Sequence, residues 1–366
     1  LQYPTAKNLS LNFVYSFDEM SNVCYNAHDL YFPLQEDFKM LNVAMLSKWH
    51  VHAEGYAREL LNTGKVKITA VWDDDVARGS EWAKSLGADF EPDLEKLLSR
   101  SDVDAVVCDA PTTKHKDVII AAARAKKHIF TEKALAPTVA ECEEIKAEIE
   151  KAGVTFVISL PQRGTGPVQF ARRMIADGAF GRVNLVRVRN GHNGVSGGWL
   201  PSYWFEEKDA AGGAMMDLGC HPMYTLAYLC GKPKRVSAIF NSPFGTPVDE
   251  NAVATIEFEN GIIGIAETSF IVYNTPSMLE VYGTEGALVC QNDDIKFISS
   301  KLAPYVRGYV KPSLPQNRPA PIVQFVEACI NGTGSPEGLG IDDAIDLTRL
   351  LELSYIANNN NKIVEA

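Results

Sequence analysis

The sequence predicts an α/β protein: a doubly wound parallel sheet followed by a second α/β domain built on an open antiparallel sheet. Three observations carry this. From Leu41 to about residue 160, short Val- and Ala-rich runs alternate with helical stretches, the pattern of strands covered on both faces by helices. Beyond about residue 180, apolar and polar residues alternate within strands, and Asn260-Gly261 reads as a hairpin turn. A chain of 366 residues also exceeds one ordinary core, so two are expected.

Along the chain, residues 1–39 show no sustained period but carry Phe and Tyr, and read as an arm on another surface, or else as leader ahead of Met40. Residues 40–160 form the first domain. "LNVAML", "VKITAVW", "VDAVVCDA", "HIFTEK" and "VTFVISL" are its strands; "HAEGYARELLNTG", "ARGSEWAKSLG", "KDVIIAAARAKK" and "TVAECEEIKAEIEKAG" are its helices, with apolar residues at i, i+3 and i+4. Residues 161–366 form the second domain. It opens with a helix near 166–178, continues through the strands "RVNLVRVRN", "KRVSAIFN", "AVATIEFENGIIGIAETSFIV" and "MLEVYGTEGALVCQ", and ends in two amphipathic helices, "PIVQFVEACING" and "DDAIDLTRLLELSYIANN". The last helices are placed to pack back on the first domain.

Composition narrows the function. Hydrophobic residues at 46% and charged residues at 22% fit a globular protein, and no apolar run reaches a bilayer-spanning length. A formal charge of -11 opposes phosphate-backbone binding, so neither a membrane nor a nucleic acid is expected as partner. Seven scattered cysteines with no CxxC pair encode neither a disulfide framework nor a zinc ribbon. With no secretory signal pattern at the start, a reducing, cytoplasmic setting is the expectation.

Three stretches carry chemistry. The first βα turn, "MLSKWHVHAEGYA", lacks the glycine-rich loop of a dinucleotide site, with Ser47, Lys48, Trp49 and His50 in its place. About 25 residues on, Asp73 ends the second strand, where an acid accepts ribose hydroxyls and repels a 2'-phosphate, favouring NAD over NADP. An even alternative is a solvated strand end and helix cap. His50 and His52 form an HxH pair without a recognisable third ligand nearby, so no metal is expected. Glu132 and Lys133 close a buried strand at the edge where such sheets bind ligands. In "AGGAMMDLGCHPM", Asp217 and His221 stand four apart, which on a helix puts both polar groups on one face, away from Met215 and Leu218. Gly212 and Gly213 there permit close backbone approach, and Pro222 is expected to bend the helix. The bland alternative is a histidine buried for packing.

In order along the chain, "AVWDDDVARGSEWAKSLG", "SDVDAVVCDAPTTKHKDVIIAAARAKKHIFTEKALAPTVAEC", "GGAMMDLGCHPM" and "FENGIIGIAETSF" with "LEVYGTEGAL" resemble the Gfo/Idh/MocA oxidoreductase family of sugar and inositol dehydrogenases. The resemblance implies an N-terminal Rossmann domain and a C-terminal domain often used for oligomerisation, hence a homo-oligomer. It implies NAD as cofactor, lined by Ser47, Trp49, His50, Asp73, Ala110, Pro111, Thr112, His115, Glu132, Lys133 and Arg163. Lys133, His221 and Asp217 are the implied catalytic residues, with Asp217 orienting substrate or histidine. Trp199, Tyr203 and Trp204 are the implied stacking faces for a sugar ring. Ala134 departs from the family's proline after Glu-Lys. The activity implied is reversible oxidation of a secondary hydroxyl of a sugar, glycoside or polyol, C3 being one position. Two alternatives stand beside it: an NAD-retaining enzyme that cleaves glycosides through transient oxidation, and a non-catalytic sugar sensor.

Overall fold

Strands made of Val, Ala, Ile and Met on both faces can pair only where helices cover both sides, and the first half of the chain builds that arrangement. The computed structural model describes residues 40–366; the expected arm at 1–39 lies outside the described residues. The first half runs β1 (Leu41–Leu46), α1 (Ala53–Asn62), β2 (Val66–Trp72), α2 (Val76–Leu86), β3 (Asp89–Phe90), α3 (Leu94–Ser99), β4 (Ala105–Cys108), α4 (His115–Arg124), β5 (His128–Thr131), α5 (Val139–Ala152) and β6 (Phe156–Ile158). Its six strands are parallel in the order β3-β2-β1-β4-β5-β6. The order reverses between β1 and β4, and the loops leaving these strands diverge to open a crevice at their carboxyl ends.

Helix boundaries follow local chemistry. Asp75 accepts the Ala77 and Arg78 N–H groups at the start of α2, and Thr138 accepts that of Glu141 at the start of α5, satisfying donors that have no intrahelical partner. Gly87 and Gly153 end the same two helices in the left-handed region.

The second half runs α6 (Gly166–Ala176), β7 (Val183–Gly191), α7 (Glu207–Ala210), α8 (Ala214–Asp217), α9 (Cys220–Cys230), β8 (Pro233–Asn241), β9 (Asn251–Phe258), β10 (Ile263–Ser269), β11 (Met278–Gly283), β12 (Gly286–Gln291), β13 (Asp294–Ser299), α10 (Pro321–Asn331), α11 (Ile341–Asn360) and β14 (Val364–Glu365). Eight strands pair in the order β13-β12-β11-β7-β10-β9-β8-β14. The sheet is mixed, which corrects the antiparallel expectation: β10 runs parallel to β7. Parallel neighbours need a long crossover, and the segment holding α7 to α9, β8 and β9 provides it. Strand β13 and the short elements α3 and β14 were not singled out in the sequence. Buried α9 lies against β7 and β10; α10 packs on α1 and β6, and α11 on α5 and β8. One apolar core therefore runs through both halves. Among the described residues, no helix is long and apolar enough to cross a membrane.

The Asp217–His221 stretch is also corrected. It is not one bent helix but two, α8 and α9, parted at Leu218 and Gly219. Pro222 offers no N–H, and its ring would meet the Leu218 carbonyl four residues back, so the chain restarts and takes the proline into the first turn of α9. The glycine pair does what its sequence suggested. The Asp249 carboxylate accepts the Gly213 and Met215 N–H groups at 2.9 and 2.7 Å, and a side chain at Gly213 would fall 2.0 Å from the Asp249 carbonyl oxygen.

Two glycines should respond oppositely to alanine. Gly213→Ala forces backbone apart and should destabilise by about 1–3 kcal/mol, whereas Gly55, inside α1 with open space at its Cβ, should gain about 0.5–1 kcal/mol. Urea denaturation of both variants reads the two signs.

Candidate active site

Strand β5 ends at the crevice, and its next two residues turn inward. The Glu132 N–H still pairs with the Cys108 carbonyl at 3.0 Å, so Glu132 and Lys133 are held in the sheet's register. The Lys133–Ala134 peptide bond is cis. Lys133 Nζ reaches across to the end of α8, donating to Asp217 Oδ1 at 2.6 Å and to the Asp217 carbonyl at 2.8 Å. Trp204 Nε1 donates to the other carboxylate oxygen at 3.3 Å. Burial alone would raise the Asp217 carboxyl, but the Lys133 ammonium, and His50 after it, outweigh burial and hold it at about 2. Burial likewise works against the lysine's charge; Asp217 overcomes it and raises Lys133 above the usual range. The pair is charged throughout the neutral range.

His221 stands beside this pair but is not held by Asp217, as the sequence had suggested. Its Nδ1 lies 2.7 Å from the Tyr224 hydroxyl, one helical turn along α9, and that hydroxyl also accepts the Gln162 N–H at 3.1 Å. Burial, then the nearby Lys133 charge, lower His221 to about 3, so its imidazole is neutral. Tyr224 was missed in the sequence, although its i+3 position puts it on the face of His221.

The cofactor edge is crowded. Ser47 takes φ +73°, making without glycine a turn that usually wants one. The loop's donors are used internally: Ser47 N–H to Trp72 O at 2.6 Å and His50 N–H to Asp109 O at 3.1 Å, Lys48 N–H to Asp73 Oδ2 at 2.8 Å, and Trp49 N–H to Ser47 Oγ at 3.1 Å. Asp73 does end β2, and it accepts two bonds from Arg78 at 2.9 and 2.5 Å. A dinucleotide still fits this edge: the switch point, the Asp73 carboxylate and the start of α1 lie in the required order, with the Lys48 ammonium, paired to Glu54 at 2.5 Å, and the Arg78 guanidinium, paired to Asp73, as nearby cations. Trp49 Nε1 and both Asp109 carboxylate oxygens are buried without partners among the described residues.

Several expected contacts are reassigned. Arg163 is buried, donating to the Tyr224 and Gly338 carbonyls and pairing with Asp343; it ties α9 to the start of α11 and offers nothing to a cofactor. His115 sets Nε2 2.9 Å from the Ala110 carbonyl and Nδ1 3.0 Å from that of Ala134, so it clamps two loops together rather than lining a ligand. Ala110, Pro111 and Thr112 are buried in the first of these loops. Trp204 is no free stacking face: its ring lies on Trp49, with centroids 4.7 Å apart, while the Tyr203 hydroxyl donates to the Trp49 carbonyl at 3.3 Å. Trp199, beside His192 and 54% exposed, keeps an open ring.

The absence of a third metal ligand is also corrected. Glu132, eighty residues beyond His52, brings Oε2 to 3.2 Å from His52 Nδ1 and 4.0 Å from His50 Nδ1. Tyr56 donates to the same carboxylate and lies 2.7 Å from Ser159 Oγ. Tyr56 stands four residues after His52, the helical spacing that joins the two, but nothing local points to Glu132.

Comparison with known proteins decides the family. Residues 47–160 match the oxidoreductase family with an NAD-binding Rossmann fold, and residues 168–289 match the GFO/IDH/MocA C-terminal domain. The chain is a Gfo/Idh/MocA oxidoreductase. Similar members include the 1,5-anhydro-D-fructose reductase of Ensifer adhaerens, 28% identical over 62% of this chain and 68% of its own. The 2,7-anhydro-N-acetylneuraminate hydratase of Escherichia coli (strain K12) is 27% identical over 68% and 67%. A solved levoglucosan dehydrogenase in complex with NADH and levoglucosan shares the fold, with TM-score 0.77 and 21% identity over 89% of this chain and 99% of that one. This Gfo/Idh/MocA chain thus carries an enzyme family's NAD-binding domain with an atypical phosphate loop.

The neutral, buried His221 has a pH consequence. Its folded pKa lies below the ordinary 6.5, so the unfolded chain binds this proton first, and the histidine's contribution is lost as pH falls from about 6.5 toward about 3. Buried Asp109, raised well above its usual value mainly by burial, acts in the opposite sense, so the informative quantity is a difference. The stability gap between wild type and His221→Asn should close by up to about 1.4 kcal/mol per pH unit below pH 6; urea melts at several pH values measure it.

Proposed function

We propose that this enzyme oxidises a secondary hydroxyl of a sugar, glycoside or polyol, C3 of a glycoside being one position, with NAD as acceptor. The observation that carries the reading is the charged Lys133 ammonium fixed by Asp217 beside a neutral His221. Asp73, the Ser47–His50 loop, the Ala110–Thr112 loop and Glu132 would hold the cofactor. NAD, when bound, supplies the hydride acceptor.

His221 takes the hydroxyl proton at Nε2 when its Nδ1–H donates to the Tyr224 oxygen. Lys133, pinned by Asp217, turns an N–H toward the developing alkoxide and offsets its charge; Asp217 keeps that ammonium charged despite burial. The open ring of Trp199 offers a face on which a sugar can stack. The exposed Ile239, Val253 and Ile263 on β8 to β10 give the second sheet an apolar outer face suited to self-association, and we place the homo-oligomer in the cytoplasm.

A second reading is favoured by the relative named as a hydratase: transient oxidation with retained NAD, leading to bond cleavage without net NADH. Product analysis separates the two, since only net oxidation accumulates NADH and a ketone.

Calorimetric titration with NAD and NADP, followed by a sugar panel read by NADH formation, tests the proposal. NAD should bind in preference to NADP; binding of neither overturns it. Lys133→Ala should abolish turnover with the fold retained, and His221→Asn should lower kcat by about 10²–10⁴ with NAD affinity kept. Wild-type rates in either variant remove that residue from the mechanism.

A further inference from the structure

We propose that His50, His52 and Glu132 form a binding site for a divalent transition-metal ion of the zinc type. Their ligand atoms all lie within 4.8 Å of one another, and two measured separations are 3.2 and 4.0 Å. A tetrahedral zinc ion with bonds of about 2.0–2.1 Å needs ligand atoms about 3.3–3.5 Å apart, so small ring rotations close the site. The donor set, two imidazoles and one carboxylate, is that of open zinc sites, which leave a further position for water or another ligand.

Simple hydrogen bonding accounts for His52 with Glu132, but not for the third member. At 4.0 Å, His50 Nδ1 makes no hydrogen bond to the carboxylate, yet its ring is buried and stands edge-on to that of His52, with centroids 4.6 Å apart. Its Nδ1 lone pair now accepts the His52 N–H at 3.2 Å, the one contact that a metal bond through this atom would replace. Tyr56, hydrogen-bonded to Glu132 and backed by Ser159, supplies the outer contact that orients a ligating carboxylate. An entry path exists as well: the His52 side chain is 49% exposed, and with Tyr56 and Ser159 it lines a cavity of about 450 Å³. Glu132 and His50 are themselves buried.

The site shares His50 and Glu132 with the proposed cofactor edge, but it rests on no part of the hydride-transfer chemistry, since it uses neither Lys133 Nζ nor His221 and needs no NAD. The test is a titration of the chelator-treated full chain with Zn²⁺ by calorimetry, and with Co²⁺ by visible absorption, in the absence of nucleotide. One equivalent should bind at micromolar concentration or tighter, with cobalt giving the intense visible bands of a low-coordinate nitrogen and oxygen site. His52→Ala, a change at a half-exposed position, should weaken binding at least 100-fold, and Glu132→Gln should do the same with circular dichroism unchanged. No saturable site in the wild type, or equal affinity in His52→Ala, overturns the proposal. NAD binding and turnover are read separately, so either idea can fail while the other stands.

Discussion

The buried ion pair between Lys133 and Asp217 is the constraint on which the site depends. It joins the end of the parallel sheet to the end of α8, residues 84 apart in sequence, and so links the two halves of the chain at the crevice. Removing one partner of such a pair leaves an uncompensated buried charge, at a cost of about 3–5 kcal/mol. The same geometry keeps both groups ionised in a setting that would otherwise neutralise them. His221 gains from it too, since the neighbouring ammonium and burial keep its imidazole free of a proton.

Around this pair the two halves interlock through aromatic rings. Trp204 binds Asp217 through its indole N–H and lies flat on Trp49 of the first βα loop, so the loop expected to receive substrate is packed onto the loop expected to receive cofactor. The absence of glycines in the latter is therefore a structural trade. Ser47, Trp49 and His50 close the loop's own hydrogen bonds and provide a surface for Trp204, where glycines would have left free N–H groups for phosphate. Charge for a pyrophosphate then has to come from side chains such as Lys48.

Much of this was legible in the chain. Strand and helix periodicity located the parallel sheet, and the order of the Glu-Lys and GG(x)3DxGxH motifs marked Glu132, Lys133, Asp217 and His221. What misled was spacing without context. Asp217 and His221 are four apart, yet the break at Leu218–Gly219 sends Asp217 to Lys133 and His221 to Tyr224. Arg163 and Trp204 were read as ligand contacts from the family resemblance, but the fold buries both and gives each a protein partner.

By itself the sequence determined the element types, the parallel first sheet and the residues at its carboxyl edge, because these follow from local periodicity and from strand termini. Tertiary structure alone decided the pairings: Lys133 with Asp217, Glu132 with His52, Arg163 with Asp343, and β7 beside β10. Each joins residues far apart in the chain, and a contact made across a folded core leaves no spacing in the sequence from which it can be read.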